Sequence, residues 1–167
     1  MKKYFSVLFV LVAVLALMPG SGTAGTASTS LNVSVVVDGA CTMSSTPVTF
    51  SDYLQLGTNQ AAPDDGTGTL VVTCTAGVSP TIGLSLGGYS QGSQARMSNG
   101  VTGFLNYNLY QDASRTVAWG NSAPNLLSMG TVQNTSPQTV TVYGRIPAGQ
   151  TPPGGTYSDV VQATLNF

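Results

Sequence analysis

From residue 30 onward the chain sets apolar against polar residues at alternate positions, and no window carries the apolar stripe of a full-length helix. Period-two alternation places the apolar members on one face of a strand. Residues 48–50, 69–74, 81–86, 104–110, 139–146 and 157–167 read as strands, with β-branched and aromatic side chains between polar ones. Asp65-Gly66, Gly87-Gly88, Asn99-Gly100 and Pro152-Pro153-Gly154-Gly155 punctuate them as turns. Short strands of this kind in one domain predict an all-β fold, a sandwich of two sheets of immunoglobulin-like type. No linker or repeat divides the chain after its first residues.

One alternating stretch stands apart. In Ser30-Leu31-Asn32-Val33-Ser34-Val35-Val36-Val37, the residues Leu31, Val33, Val35 and Val37 fall on one face. The stretch follows directly on an export signal, where a tether is easily left loose. A loose apolar strand is a hazard unless another molecule offers a slot for it. That points to a building block and away from a catalyst.

The export signal occupies residues 1–24. Met1-Lys2-Lys3 is positive, residues 4–18 are apolar apart from Ser6, and a small-residue region follows. The apolar run is shorter than the roughly 20 residues a spanning helix needs. Cleavage falls somewhere between about Gly22 and Ala27. No second long apolar run follows, so no membrane insertion is expected after the signal is removed.

Export also removes both lysines. Arg96, Arg115 and Arg145 then face Asp38, Asp52, Asp64, Asp65, Asp112 and Asp159, a net charge of −3 without histidine or glutamate. Such a surface lacks the clustered positive charge that nucleic acid or an anionic membrane attracts. The remaining ~140 residues suffice for one domain with a core of its own. Cys41 and Cys74, bound for an oxidising compartment, are expected to form a disulfide closing a loop of about 34 residues, a constraint of roughly 3–4 kcal/mol. Two cysteines without histidine make a poor zinc site, and neither has a basic neighbour to activate it.

Catalysis finds little support. General acid–base work usually needs histidine or a carboxylate pair of shifted pKa. The adjacent acids Asp64 and Asp65 precede Gly66 in what reads as a solvated hairpin tip, with a calcium loop as the alternative. No base accompanies the serines, and Gly87-Gly88 lacks the context of a phosphate cradle. No catalytic residue, cofactor or metal is therefore expected. Trp119 and the tyrosines read either as sandwich core or as a sugar-binding face.

Four stretches carry a family resemblance: Cys41-Thr42-Met43, Val72-Thr73-Cys74, the run Tyr107-Asn108-Leu109-Tyr110-Gln111-Asp112-Ala113-Ser114-Arg115-Thr116, and the ending Gly155-Thr156-Tyr157-Ser158-Asp159 through Phe167. In this order they closely resemble the spore coat protein U domain family, which includes major subunits of archaic chaperone–usher pili of Gram-negative bacteria. The resemblance spans essentially the whole mature chain.

The resemblance implies an incomplete immunoglobulin-like sandwich of pilin type, missing one strand and completed by a donated one. It implies a pilus subunit that supports adhesion and biofilm formation, exported through the periplasm to the cell surface. Its partners would be a periplasmic chaperone, an outer-membrane usher, and identical or sibling subunits. Residues 25–38 would be the donor extension, with Leu31, Val33, Val35 and Val37 as its knobs, and residues 39–167 the pilin domain. The acceptor groove would be edged by Tyr157, Val161, Ala163, Leu165 and Phe167. Asn166 departs from the penultimate tyrosine of classical pilins. A secreted coat or matrix protein that does not polymerise, and a small carbohydrate-binding module, are the alternative functions.

Overall fold

The computed structural model describes Gly22 and residues 24–167, so most of the expected signal peptide lies outside the described residues. The chain divides into two units, residues 1–36 and 37–167. Residues 24–40 adopt no regular secondary structure. Leu31, Val33, Val35 and Val37 stand 86%, 88%, 86% and 77% exposed.

The second unit is all β apart from one 3-10 turn, Thr58–Gln60. Its strands are β1 (Cys41–Thr49), β2 (Asp64–Cys74), β3 (Thr81–Leu84), β4 (Ala95–Ser98), β5 (Phe104–Tyr110), β6 (Leu127–Ser128), β7 (Gln138–Ile146) and β8 (Ala163–Asn166). They form a five-stranded sheet in the order β1-β2-β7-β5-β4 and a three-stranded sheet in the order β6-β3-β8. Every pairing is antiparallel. No helix among the described residues is long and apolar enough to cross a membrane.

The alternation in β2 explains the core. Its even-numbered residues from Asp64 to Cys74 all face inward, and Leu70, Val72 and Cys74 pack with Val142 of β7. Ile82 and Leu84 of β3 meet them from the other sheet. Trp119 is buried in this cluster, and its indole Nε1 donates to the Ile82 carbonyl at 3.0 Å. A second cluster joins Ala95, Leu105, Tyr107 and Ile146. Burying an aliphatic side chain is worth about 1.5–3 kcal/mol, so these facing rows set the sandwich.

Three elements differ from the sequence expectation. Asp64-Asp65-Gly66 is the start of β2 and no hairpin tip, so the calcium loop falls with it: Asp64 is buried while Asp65 faces outward. Gly66 serves close approach here. A Cβ at that position would overlap the Thr49 carbonyl oxygen, and one on Gly144 of β7 would lie 2.6 Å from the Phe50 ring. These bare patches receive the end of β1, whose register shifts between Thr46 and Thr49 around Pro47. Val48 and Phe50 thereby pack against the two clusters.

Secondly, the expected strand 157–167 is regular only over Ala163–Asn166, with an isolated bridge from Ser158 to Ser98. Thirdly, residues 41–47, 95–98 and 127–128 form strands that were not read as such. Serine, threonine and a single proline hide the alternation in the first of these, because its outward face and lower inward half are polar.

Substituting Gly66→Ala forces a methyl group against backbone that has no room to yield. A loss of about 1–3 kcal/mol in urea-unfolding free energy is expected, and an unchanged midpoint would contradict the close approach.

Candidate functional site

The sandwich is open along one side. β1 is the last strand of its sheet and pairs only with β2; β8 is the last strand of the other and pairs only with β3. Between these edges lies a cavity of about 890 Å³. One wall is β1 and the segment after it, residues 43–53; the other is residues 155–161 with Ala163. The floor is apolar, made by Leu70, Leu84, Leu105, Leu109, Val142 and Ile146. Five of these come from three strands of the larger sheet, β2, β5 and β7, and Leu84 comes from β3 of the other; all but the half-buried Leu109 are buried, so the groove lies directly over the core.

The C-terminal wall is pinned at several points. The Ser98 and Ser158 backbones exchange two hydrogen bonds of 3.0 Å, tying the segment to β4. Ser85 and Gln162 tie it to the end of β3: the Ser85 N–H donates to the Gln162 carbonyl, and the Gln162 N–H to Ser85 Oγ, both at 2.9 Å. The Asp159 carboxylate accepts from the Gly88 and Val160 N–H groups at 2.8 Å and from the Tyr107 hydroxyl at 2.7 Å. Burial, then the hydrogen bond to Asp159 and last its charge push the Tyr107 phenol above its ordinary range, so it stays a neutral donor. The segment thus crosses from one sheet to the other, leaving Val161 packed against both core clusters.

On the opposite wall Tyr53 is fixed by its hydroxyl, which donates to the Pro147 carbonyl at 2.9 Å and accepts from the Gln150 N–H at 3.0 Å. Asp64 is buried near Ser51 of the same wall, and among the described residues its Oδ2 has no hydrogen-bond partner. Burial raises its pKa above the ordinary carboxylate value, with hydrogen bonding from Ser51 pulling the other way.

The structure brings some sequence-predicted residues together and separates others. Tyr157, Val161 and Ala163 line the groove. Leu165 lies opposite Ile82 in the β8–β3 ladder and packs on the core without lining the groove. Phe167, beyond β8, is 63% exposed. Cys41 and Cys74 are bonded to one another at facing positions of β1 and β2. Trp119 is core, which removes it from any sugar-binding surface. Among the described residues no group of metal-ligating side chains gathers.

Sequence reading missed the wall at residues 47–53 and the Tyr107–Asp159 anchor. The signal for the wall was the glycine alternation in β2, which marks where another backbone approaches.

The run from Tyr107 to Thr116 has a structural role. The Asp112 carboxylate accepts from Ser114 Oγ and from the Thr116 and Val117 N–H groups, which hold it well below the usual carboxylate range. Those bonds close the turn after β5. Arg115, in the left-handed region at φ 56°, then donates Nε to the Gly144 carbonyl at 3.1 Å and pairs with Asp65 at 3.2 Å. Arg145 makes two hydrogen bonds to Asp65, of 2.7 and 2.8 Å, and these lower the Asp65 pKa.

Comparison with known proteins identifies relatives of the chain and of its fold. A family model described as Spore Coat Protein U domain matches residues 27–164. The chain is 39% identical over 160 residues to Protein U of Myxococcus xanthus, covering 86% of this chain and 87% of that protein. Its fold is similar to a chain in the crystal structure of the CsuC–CsuE chaperone–tip adhesion subunit pre-assembly complex from archaic chaperone–usher Csu pili of Acinetobacter baumannii. There the TM-score is 0.58 at 22% identity over 78% of this chain, which spans 40% of that one.

The unpartnered Asp64 oxygen generates a pH dependence. Its folded-state pKa lies above the unfolded value, so charging it disfavours the folded state at neutral pH. That penalty is relieved as pH falls through the folded pKa towards about 3.9. Asp64→Asn is expected to stabilise the domain at pH 7 by about 1 kcal/mol, a gain that shrinks on acidification. A constant difference across that window in thermal melts would refute the assignment.

Proposed function

The chain belongs to the Spore Coat Protein U domain family, and we propose that it is a structural subunit of a chaperone–usher pilus assembled by donor-strand complementation. The carrying observation is the open apolar groove between two unpaired strand edges, on a chain that also bears an exposed arm of alternating apolar residues. Leu31, Val33, Val35 and Val37 of one subunit enter the groove of the next. Four such side chains gain on the order of 6–12 kcal/mol in burial before the cost of ordering the arm. Ladder hydrogen bonds to the free edges add register, as in other cases of strand addition. Head-to-tail addition does not close on itself, so it builds a filament.

Residues 1–24 serve as the export signal and residues 39–167 as the pilin domain. A periplasmic chaperone occupies the groove first, gripping the wall that includes Tyr157, Val161 and Ala163, with Leu165 and Phe167 following further along the same segment. An outer-membrane usher then exchanges it for the next subunit's arm. The assembled fimbrium lies outside a Gram-negative cell and supports adhesion and biofilm formation. No enzymatic activity belongs to this reading.

A second reading, a secreted coat protein that does not polymerise, is favoured by the 39% identity to Protein U over nearly the whole of both chains. Val35→Asp separates the two. A charge carried into an apolar slot costs several kcal/mol. The substitution is expected to cut SDS-resistant, heat-labile multimers and visible fibres by at least roughly tenfold, while the subunit still co-purifies with its chaperone. Deleting residues 28–37 should do the same. A coat protein would lose nothing in either variant, and undiminished fibres would reject polymerisation through the arm.

A further inference from the structure

An apolar groove and an apolar arm on one chain raise the question of which arm fills which groove. We infer that the backbone at Ala40 and Cys41 prevents a subunit from filling its own groove and reserves that groove for the arm of a second copy. The inference rests on the donor-strand reading above and adds the residues that decide between the two copies.

The deciding feature is the phase of the β1–β2 ladder. Cys41 and Cys74 face each other with Cα atoms 4.1 Å apart, close to the ~4.5 Å of a non-hydrogen-bonded antiparallel pair. The flanking pair shows the same phase. Thr75 N–H donates to the Ala40 carbonyl at 2.8 Å, and Ala40 N–H donates to Thr75 Oγ1 at 3.1 Å. The backbone groups of Ala40 are therefore spent on Thr75, the residue that follows β2. By alternation those of Cys41, Met43 and Ser45 point to the free edge of β1, the edge that walls the groove.

An arm turning back along this edge has to meet two conditions. Its hydrogen-bonding residue must lie opposite Cys41, and because opposed residues share a face, that residue must belong to the apolar set. The shortest turn, Asp38-Gly39, has favourable hairpin chemistry but fails both. It sets Val37 against Ala40, whose groups are taken, and it turns Asn32 and Ser34 inward instead of Leu31, Val33 and Val35.

A three-residue turn over residues 38–40 restores phase and face. Such turns usually end on a residue in the left-handed region, where glycine is preferred. Here that place falls to Ala40, which would also have to leave Thr75. A five-residue loop over residues 36–40 keeps Ala40 paired. It withdraws Val37 from the groove and bends two β-branched valines into a loop. An arm from a second copy makes no turn at all and takes the register that fits.

The test uses the purified exported chain as a dilute monomer, with a synthetic peptide of residues 28–37 as probe. Three proteins are compared: the wild type, Val35→Asp, and a variant with Gly-Ser-Gly-Ser inserted between Gly39 and Ala40. That insertion leaves Ala40 on Thr75 and gives the arm slack to fold back in the correct phase. A vacant groove should take the peptide and raise Tm by about 10 °C at a hundredfold excess over Kd. The expected result is a shift in the wild type and in Val35→Asp, with a shift at least halved in the insertion variant and its arm newly protected from protease. A shift in Val35→Asp but not in the wild type means that the natural arm already fills its own groove, which overturns the inference and leaves the donor-strand reading intact. Equal shifts in the wild type and the insertion variant also overturn it, since slack at Ala40 then changes nothing. A peptide that shifts none of the three sinks the donor-strand reading itself.

Discussion

Strand pairing sets the limits of this molecule. A sandwich buries its core only where each inner face is covered, and here a groove stays open between the sheet edges formed by β1 and β8. The floor between them carries Leu70, Leu84, Leu105, Leu109, Val142 and Ile146, which are core residues of adjoining strands. The groove therefore lies directly over buried core, with only the half-buried Leu109 among these six reaching solvent appreciably. Additional apolar side chains placed there remove surface from water and extend a core that already exists.

The two walls are held by different chemistry. Residues 47–53 are drawn inward by packing: glycines on β2 and β7 leave room for Val48 and Phe50, and Tyr53 is hydrogen-bonded to the loop after β7. Residues 155–163 are held by polar contacts at intervals, from Ser98, from Ser85 and from the Asp159 carboxylate against Tyr107. Anchors of this spacing fix the position of an extended segment without committing all of its backbone. Val161 packs against both clusters, so the same segment joins the two halves of the core.

The charged residues of the Tyr107–Thr116 run illustrate how a family signature serves the fold. Asp112 closes the turn after β5, and Arg115 reaches from that turn to the Gly144 carbonyl and to Asp65. Asp65 also holds Arg145, so two strands, β2 and β7, and the turn after β5 meet at a single carboxylate. Exposed pairs contribute little each; their convergence fixes where β2, β5 and β7 lie relative to one another.

Much of this was written in the sequence. Alternation from Leu70 to Cys74, from Leu105 to Leu109 and from Val140 to Ile146 specified strands and the faces they bury, because a period of two leaves each side chain only one of two sides. The pairing of Cys41 with Cys74 was equally legible, being a matter of cysteine count and compartment. Asp64-Asp65-Gly66 was misread because Asp-Gly carries the same signal in a turn as in a strand that another backbone crosses. Only the tertiary structure decided between them, since the atom that excludes a Cβ at Gly66 is a carbonyl of a different strand. It decided as well that the groove's second wall is residues 47–53, and that Leu165 packs inside while Val161 borders the opening. Those outcomes depend on which strands end the sheets, a property of how separated segments pair and of no single segment's own residues.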